Sequence, residues 1–84
     1  MIKTPMTPDT LERVRRLIAA YLKIAPATIG EDSRLDELGL DSLGALELVF
    51  EIEEEFKIKV PDDRIPELRT VRAVCDGVET LRNA

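Results

Sequence analysis

Leu38-Gly39-Leu40-Asp41-Ser42-Leu43 runs directly into a helical pattern that continues from Gly44 to Phe56. A glycine turn, an acid and then a serine at a helix start form an unusual setting for a hydroxyl. The amide of a serine there belongs to the unpaired donors of the helix N-terminus, where the dipole and free N–H groups stabilise negative charge. The position suits a phosphate ester on Ser42. It suits equally a plain cap, with Asp41 or Ser42 satisfying those donors itself. The hexapeptide alone leaves both readings open.

The helix that follows has an uncommon apolar pattern. At about 100° per residue from Ser42, Leu48, Ile52, Ala45, Phe56 and Val49 fall between roughly 240° and 340°. They form a core-facing stripe of ordinary width. Leu46, Phe50 and Leu43 fall separately, at roughly 40° to 100°, and Glu54, Glu47, Glu51 and Glu55 fill the arc from about 120° to 220°. One apolar stripe suffices to hold a small bundle. The second, edged with carboxylates, is either a docking surface or the seat of a covering loop. Of its members, Leu46 and Phe50 are expected to be more exposed than Leu43.

Outward from this helix the chain reads as a small helical bundle. Thr7-Pro8-Asp9-Thr10-Leu11-Glu12 is a helix start, with proline in the first turn and Asp9 and Glu12 arranged like a capping box. Leu11, Val14, Leu17, Ile18, Tyr21 and Leu22 recur at helical spacing, and Pro26 predicts an end after Lys23 or Ile24. The long connection from Ala25 to Asp41 carries Ile29, Leu35, Leu38 and Leu40 as plugs into the core. A loop of that length in a compact domain tends to be functional. Val60-Pro61-Asp62-Asp63 breaks the pattern, and Arg64 to Leu68 offers a short turn limited by Pro66. Thr70 then caps a last helix bearing Val71, Val74, Cys75, Val78 and Leu81, weakened at Gly77 by up to about 1 kcal/mol. No strand is predicted.

Composition excludes several function classes. The chain has 84 residues, no histidine and one cysteine. Without histidine a Ser-His-Asp hydrolase is excluded, a zinc site is disfavoured, and no residue reads as catalytic. No apolar run approaches a membrane span and the start lacks a signal-peptide apolar region, so a cytoplasmic, soluble protein is expected. Net charge is −5. The whole excess lies between Ser42 and Asp63, where seven acids face Lys57 and Lys59. Nucleic acid is therefore disfavoured, and a partner with basic groups around its docking site is favoured.

Taken together these residues resemble the acyl carrier protein family over nearly the whole chain. Its attachment motif is similar to Asp41-Ser42-Leu43, preceded here by Leu38-Gly39-Leu40. Glu47-Leu48-Val49, Glu53-Glu54-Glu55-Phe56 and Val60-Pro61-Asp62 support the match. The resemblance implies an all-α fold, a small four-helix bundle with a long loop between helices 1 and 2 and a short third helix. A single carrier domain over 1–84 is expected, with helices over about 8–23, 42–56, 63–68 and 71–82 and the loop over about 25–41. It also implies that Ser42 bears 4′-phosphopantetheine donated by coenzyme A, through a holo-carrier synthase (phosphopantetheinyl transferase) acting with magnesium. Asp41 would assist the transferase or its metal. The arm would hold acyl groups as thioesters, and Leu43, Leu46, Glu47, Phe50 and Glu54 would meet acyl-activating, acyl-transferring and synthase enzymes bearing basic patches. A monomer without a resident metal is expected.

Some residues depart from the family pattern. Gly44 stands where many fatty-acid carriers have an acid, Pro66 falls in the short third helix, and Gly77 occupies a position that is often large. Arg64, Arg69 and Arg72 make this quarter more basic than usual. These departures point to a specialised lipid, polyketide or secondary pathway as readily as to housekeeping fatty-acid synthesis. A stand-alone aminoacyl or peptidyl carrier, or an unmodified interaction module of the same fold with Ser42 as a cap, are the alternatives.

Overall fold

Among the described residues, apolar side chains at helical spacing fold into three α-helices joined by two irregular connections. The computed structural model describes residues 8–82. Helix α1 spans Pro8–Leu22, α2 Ser42–Phe56 and α3 Val71–Arg82, with 3-10 segments at Pro26–Thr28 and Asp62–Glu67. The Asp62–Glu67 segment is the expected short helix. Pro66 lies inside it and has no N–H for an α-helical ladder, and the bonds formed are the tighter kind. Arg64 N–H donates to the Pro61 carbonyl at 2.9 Å and Leu68 N–H to that of Ile65 at 3.0 Å.

Helix α1 starts differently from the expected capping box. Pro8 opens the helix, where a missing donor costs nothing. Asp9 is already inside it, and its carboxylate accepts from Arg13 one turn on at 3.4 Å. Glu12 instead pairs with Arg15 and Arg16 at 3.9 and 3.4 Å. Thr7, named in that start, lies outside the described residues. The helix ends at Leu22, earlier than Pro26 alone predicts, because Lys23 turns into the left-handed region at φ 60°. Ile24 N–H then closes back on the Ala19 carbonyl at 3.0 Å. Lys57 ends α2 the same way at φ 57°, with Ile58 N–H on the Glu53 carbonyl. Glu53 Oε2 also accepts from Val60 N–H at 2.8 Å and fixes the exit of the chain.

The core gathers Val14 and Ile18 of α1, Leu48, Ile52 and Phe56 of α2, and Val71, Val74, Cys75 and Val78 of α3. Ile29, Leu35 and Leu40 plug the long connection into it, and Leu38 packs half-buried against it. The face of α3 differs from its apolar spacing: Leu81 is only half-buried, whereas Glu79 is buried. Its carboxylate accepts from the fully buried Thr10 hydroxyl, which also accepts from Arg82 at 3.3 Å. Tyr21, placed in the α1 stripe by its spacing, is 40% exposed.

A clasp ties the long connection to the start of α3. Arg34 and Thr70 form an isolated antiparallel bridge, a strand-like contact absent from the expected fold. Leu35 N–H donates to the Arg69 carbonyl at 2.9 Å and Val71 N–H to that of Ser33 at 3.0 Å. Arg72 reaches across to Glu31 at 2.9 Å and Asp32 at 3.0 Å. Thr70 meanwhile caps α3, accepting from Ala73 N–H at 3.0 Å.

Candidate functional site

The site is built where the long connection meets α2. Gly39 sits at φ 105°, a conformation that a side chain strains, and lets the chain double back. Leu40 N–H donates to the Leu35 carbonyl at 3.0 Å, and Leu40 enters the core. Asp41 follows in extended conformation as the N-cap, its Oδ1 accepting from Gly44 N–H at 2.7 Å. Ser42 is thereby set as the first residue of α2 and is exposed. Of the two cap readings, Asp41 performs the capping. The Ser42 hydroxyl stands at the positive end of a 15-residue helix, where an esterified phosphate is stabilised. Ser33, the other serine of this segment, accepts from Gly30 N–H at 2.9 Å within a turn.

A groove of ≈ 350 Å³ opens beside Ser42, floored by Leu35, Leu40, Ala45, Ile65 and Leu68 and rimmed by Arg34 and Arg69. Arg34 is paired with Asp36 at 3.1 Å. That guanidinium holds the Asp36 carboxyl below its ordinary range. A second cavity of ≈ 230 Å³ is lined by residues including Ile52, Val60, Leu68, Val74 and Gly77. Leu68 lines both.

The two stripes of α2 separate in space. Leu48, Val49, Ile52 and Phe56 are buried, while Leu43, Phe50 and Leu46 are 65%, 56% and 38% exposed. The order of exposure reverses the expectation for Leu43. Helical side chains lean toward the N-terminus, so a leucine in the first turn projects past the helix end. Nor does the loop cover the stripe, since Leu35 and Leu40 turn into the core.

The acidic arc is less free than its sequence implies. Tyr21 donates its hydroxyl to Glu47 Oε1 at 2.6 Å, and Arg13 donates to Glu55 Oε2 at 2.8 Å and its carbonyl at 3.1 Å. The hydrogen bond to Glu47 raises the Tyr21 phenol above its ordinary pKa, with burial and the charges of Glu47 and Asp41 adding to it. Glu51 and Glu54 are exposed. No group of three or more His, Cys, Asp or Glu side chains among the described residues could hold a metal ion. No helix among them is long and apolar enough to cross a membrane.

A family model described as "Phosphopantetheine attachment site" matches residues 12–78. The acyl carrier protein of Zymomonas mobilis is 42% identical over 65 residues, 76% of this chain and 83% of that one. This chain belongs to the acyl carrier protein family. Among solved structures, a mupirocin didomain ACP is similar with a TM-score of 0.76 at 33% identity, over 89% of the carrier and 42% of the didomain. A hexanoyl ACP from the actinorhodin polyketide synthase of Streptomyces coelicolor shares the fold, with a TM-score of 0.74 at 22% identity over 93% and 92% of the chains.

The cofactor of this carrier is 4′-phosphopantetheine. The structure brings Ser42, Asp41, Leu43, Leu46, Glu47 and Phe50 onto the exposed N-terminal half of α2, with Glu54 two turns beyond Glu47. Sequence spacing missed Tyr21, which comes from α1 and lies against Gly44. A Cβ on Gly44 would sit 3.2 Å from the Tyr21 hydroxyl, 3.2 Å from Asp41 Oδ1 and 3.0 Å from Leu40 Cδ2. The glycine noted as a departure from the family pattern is thus the gap that admits the phenol. Its signal in the sequence was only that departure.

Proposed function

We propose that Ser42 carries 4′-phosphopantetheine as a phosphodiester and that the protein serves fatty-acid, lipid or polyketide-type biosynthesis as a non-catalytic carrier. The observation that carries this reading is the exposed Ser42 hydroxyl as first residue of a helix whose cap is supplied by Asp41. The residues fit the group. The helix end favours its phosphate, and the groove beside Ser42 has the apolar floor that an extended arm or acyl chain can lie along. When bound, the arm supplies a thiol that takes acyl groups as thioesters.

Attachment joins Ser42 Oγ to the phosphorus of coenzyme A that bears the pantetheine, with adenosine 3′,5′-bisphosphate leaving and the serine proton passing to a base of the transferase. Within this chain Asp41 holds the helix start in place, and its carboxylate would add negative charge toward a magnesium ion brought by the transferase. Leu43, Leu46 and Phe50 give partner enzymes an apolar contact, and Glu47 and Glu54 meet their basic groups. A cytoplasmic monomer with one domain over 1–84 is the accompanying reading.

The test is the intact mass of the protein incubated with coenzyme A, magnesium and a broad-specificity phosphopantetheinyl transferase. One phosphopantetheinyl group is expected on the wild type and on Ser33→Ala, and none on Ser42→Ala with its helical spectrum intact. Modification of Ser42→Ala, or an unmodified wild type, overturns the assignment.

A further inference from the structure

The docking face described above contains a residue from another helix. Tyr21 stands in the last turn of α1, and its hydroxyl crosses to α2 through the space left by Gly44. There it meets Glu47 at 2.6 Å, with its ring partly exposed. Glutamate has several rotamers, and ordering such a side chain at an interface costs free energy. A carboxylate already held by one oxygen carries less of that cost. Its second oxygen still has lone pairs for a cation.

We infer that Tyr21 is a positioning residue for docking: through Gly44 it holds Glu47 in one orientation, so that an enzyme acting at Ser42 meets a pre-set carboxylate beside an aromatic ring. The inference rests on the docking reading of α2 and names its partner by chemistry. The enzyme places a lysine or arginine opposite Glu47 and an apolar surface opposite Tyr21, Leu43 and Phe50. Charge complementarity supports that occupant, since the segment from Ser42 to Asp63 carries all the net negative charge of the chain. The arrangement also accounts for a glycine inside a helix at this position. An acid at 44 would add charge, but its Cβ would sit 3.2 Å from the phenol oxygen, a tight contact that the Tyr21 hydroxyl must relieve by shifting against Glu47.

Tyr21 is the only tyrosine in a chain without tryptophan, so its absorbance and fluorescence report on this contact alone. Wild type, Tyr21→Phe, Glu47→Gln and the double variant are assayed with the transferase and coenzyme A, and phenol ionisation is followed at alkaline pH. Tyr21→Phe is expected to raise KM by about 2- to 10-fold with kcat held, the scale of one side-chain ordering cost. The double variant should lose no more than Glu47→Gln alone, and Glu47→Gln should bring the phenol back toward its ordinary range. An unchanged or lower KM for Tyr21→Phe, or fully additive losses, overturns the inference. Wild type that is not modified at Ser42 instead defeats the attachment reading, which the mass measurement detects separately.

Discussion

Asp41 accepts the Gly44 amide at 2.7 Å, so the residue beside the candidate attachment serine is the cap on which α2 is built. Two roles therefore meet in one carboxylate and can be separated. Asp41→Ala should destabilise the protein by about 1 kcal/mol, the usual value of such a cap. Asp41→Asn keeps an equally good cap and should leave the denaturant midpoint nearly unchanged. If Asp41 also serves the transferase or its magnesium, the asparagine variant will be modified slowly despite its full stability. Equal rates for Asn and wild type would confine Asp41 to capping.

Glu54 and Glu55 are sequence neighbours with different duties. Glu55 is bound by Arg13, whose guanidinium also lies 4.4 Å from the Phe56 ring centroid, whereas Glu54 faces solvent. Glu54→Lys should slow modification of Ser42 several-fold at low ionic strength. The deficit should shrink as salt approaches about 0.15 M, where the Debye length is about 8 Å. Its thermal stability should stay close to wild type. A rate that does not respond to this reversal at low salt removes the electrostatic part of docking.

The two stripes of α2 predict opposite phenotypes. Ile52→Ala should cost roughly 2–5 kcal/mol, because it opens a void in the core. Leu43→Ala and Phe50→Ala remove exposed groups and should change stability by about 0.5 kcal/mol or less. They should nevertheless impair turnover by partner enzymes. Denaturant melts beside a transferase assay distinguish the classes, and a Leu43→Ala protein that melts like Ile52→Ala would make that stripe structural.

The periodicity of α2 made its buried and exposed faces legible, because one helix supplies both and a single angle relates them. The plugs Ile29, Leu35 and Leu40 were legible for a similar reason: isolated apolar residues in a polar loop have nowhere else to go. Contacts between elements were not. Tyr21 and Glu47 are 26 residues apart, and Thr10 and Glu79 are 69 apart. Each looks locally like an ordinary stripe or solvated residue, and only the packing of helices pairs them. Asp9 misled for the opposite reason. A capping residue and a first-turn residue have the same local composition, and with Asp9 as cap the helix would open at Thr10, two positions after its actual start at Pro8.

Alkaline pH offers a test of the buried thiol. Burial, with the charges of Asp76, Glu31 and Glu79, pushes Cys75 from 9.0 up to about 12. A pKa raised on folding adds stability that is complete below the unfolded value and lost as pH climbs through the folded one. The denaturation midpoint should therefore fall between about pH 9 and 12. Tyr21, also raised, contributes in the same direction. Cys75→Ala combined with Tyr21→Phe should flatten this limb, and an unchanged slope would show that other groups govern it. At neutral pH the same burial should leave apo-protein unreactive to thiol reagents, while the phosphopantetheinylated form takes one label on its arm.

The clasp between Glu31–Leu35 and Arg69–Arg72 joins parts of the chain about 40 residues apart, through Arg72 on Asp32 and Glu31. Those parts flank the groove beside Ser42 and lead directly into Gly39 and Asp41. The serine is consequently held out by a segment whose far anchor is the opening of the last helix. Fraying of that helix from its start would let the segment drift and carry the hydroxyl out of register with its enzyme. On the attachment reading proposed above, a molecule whose last helix has frayed is expected to be charged at its serine more slowly than the finished bundle.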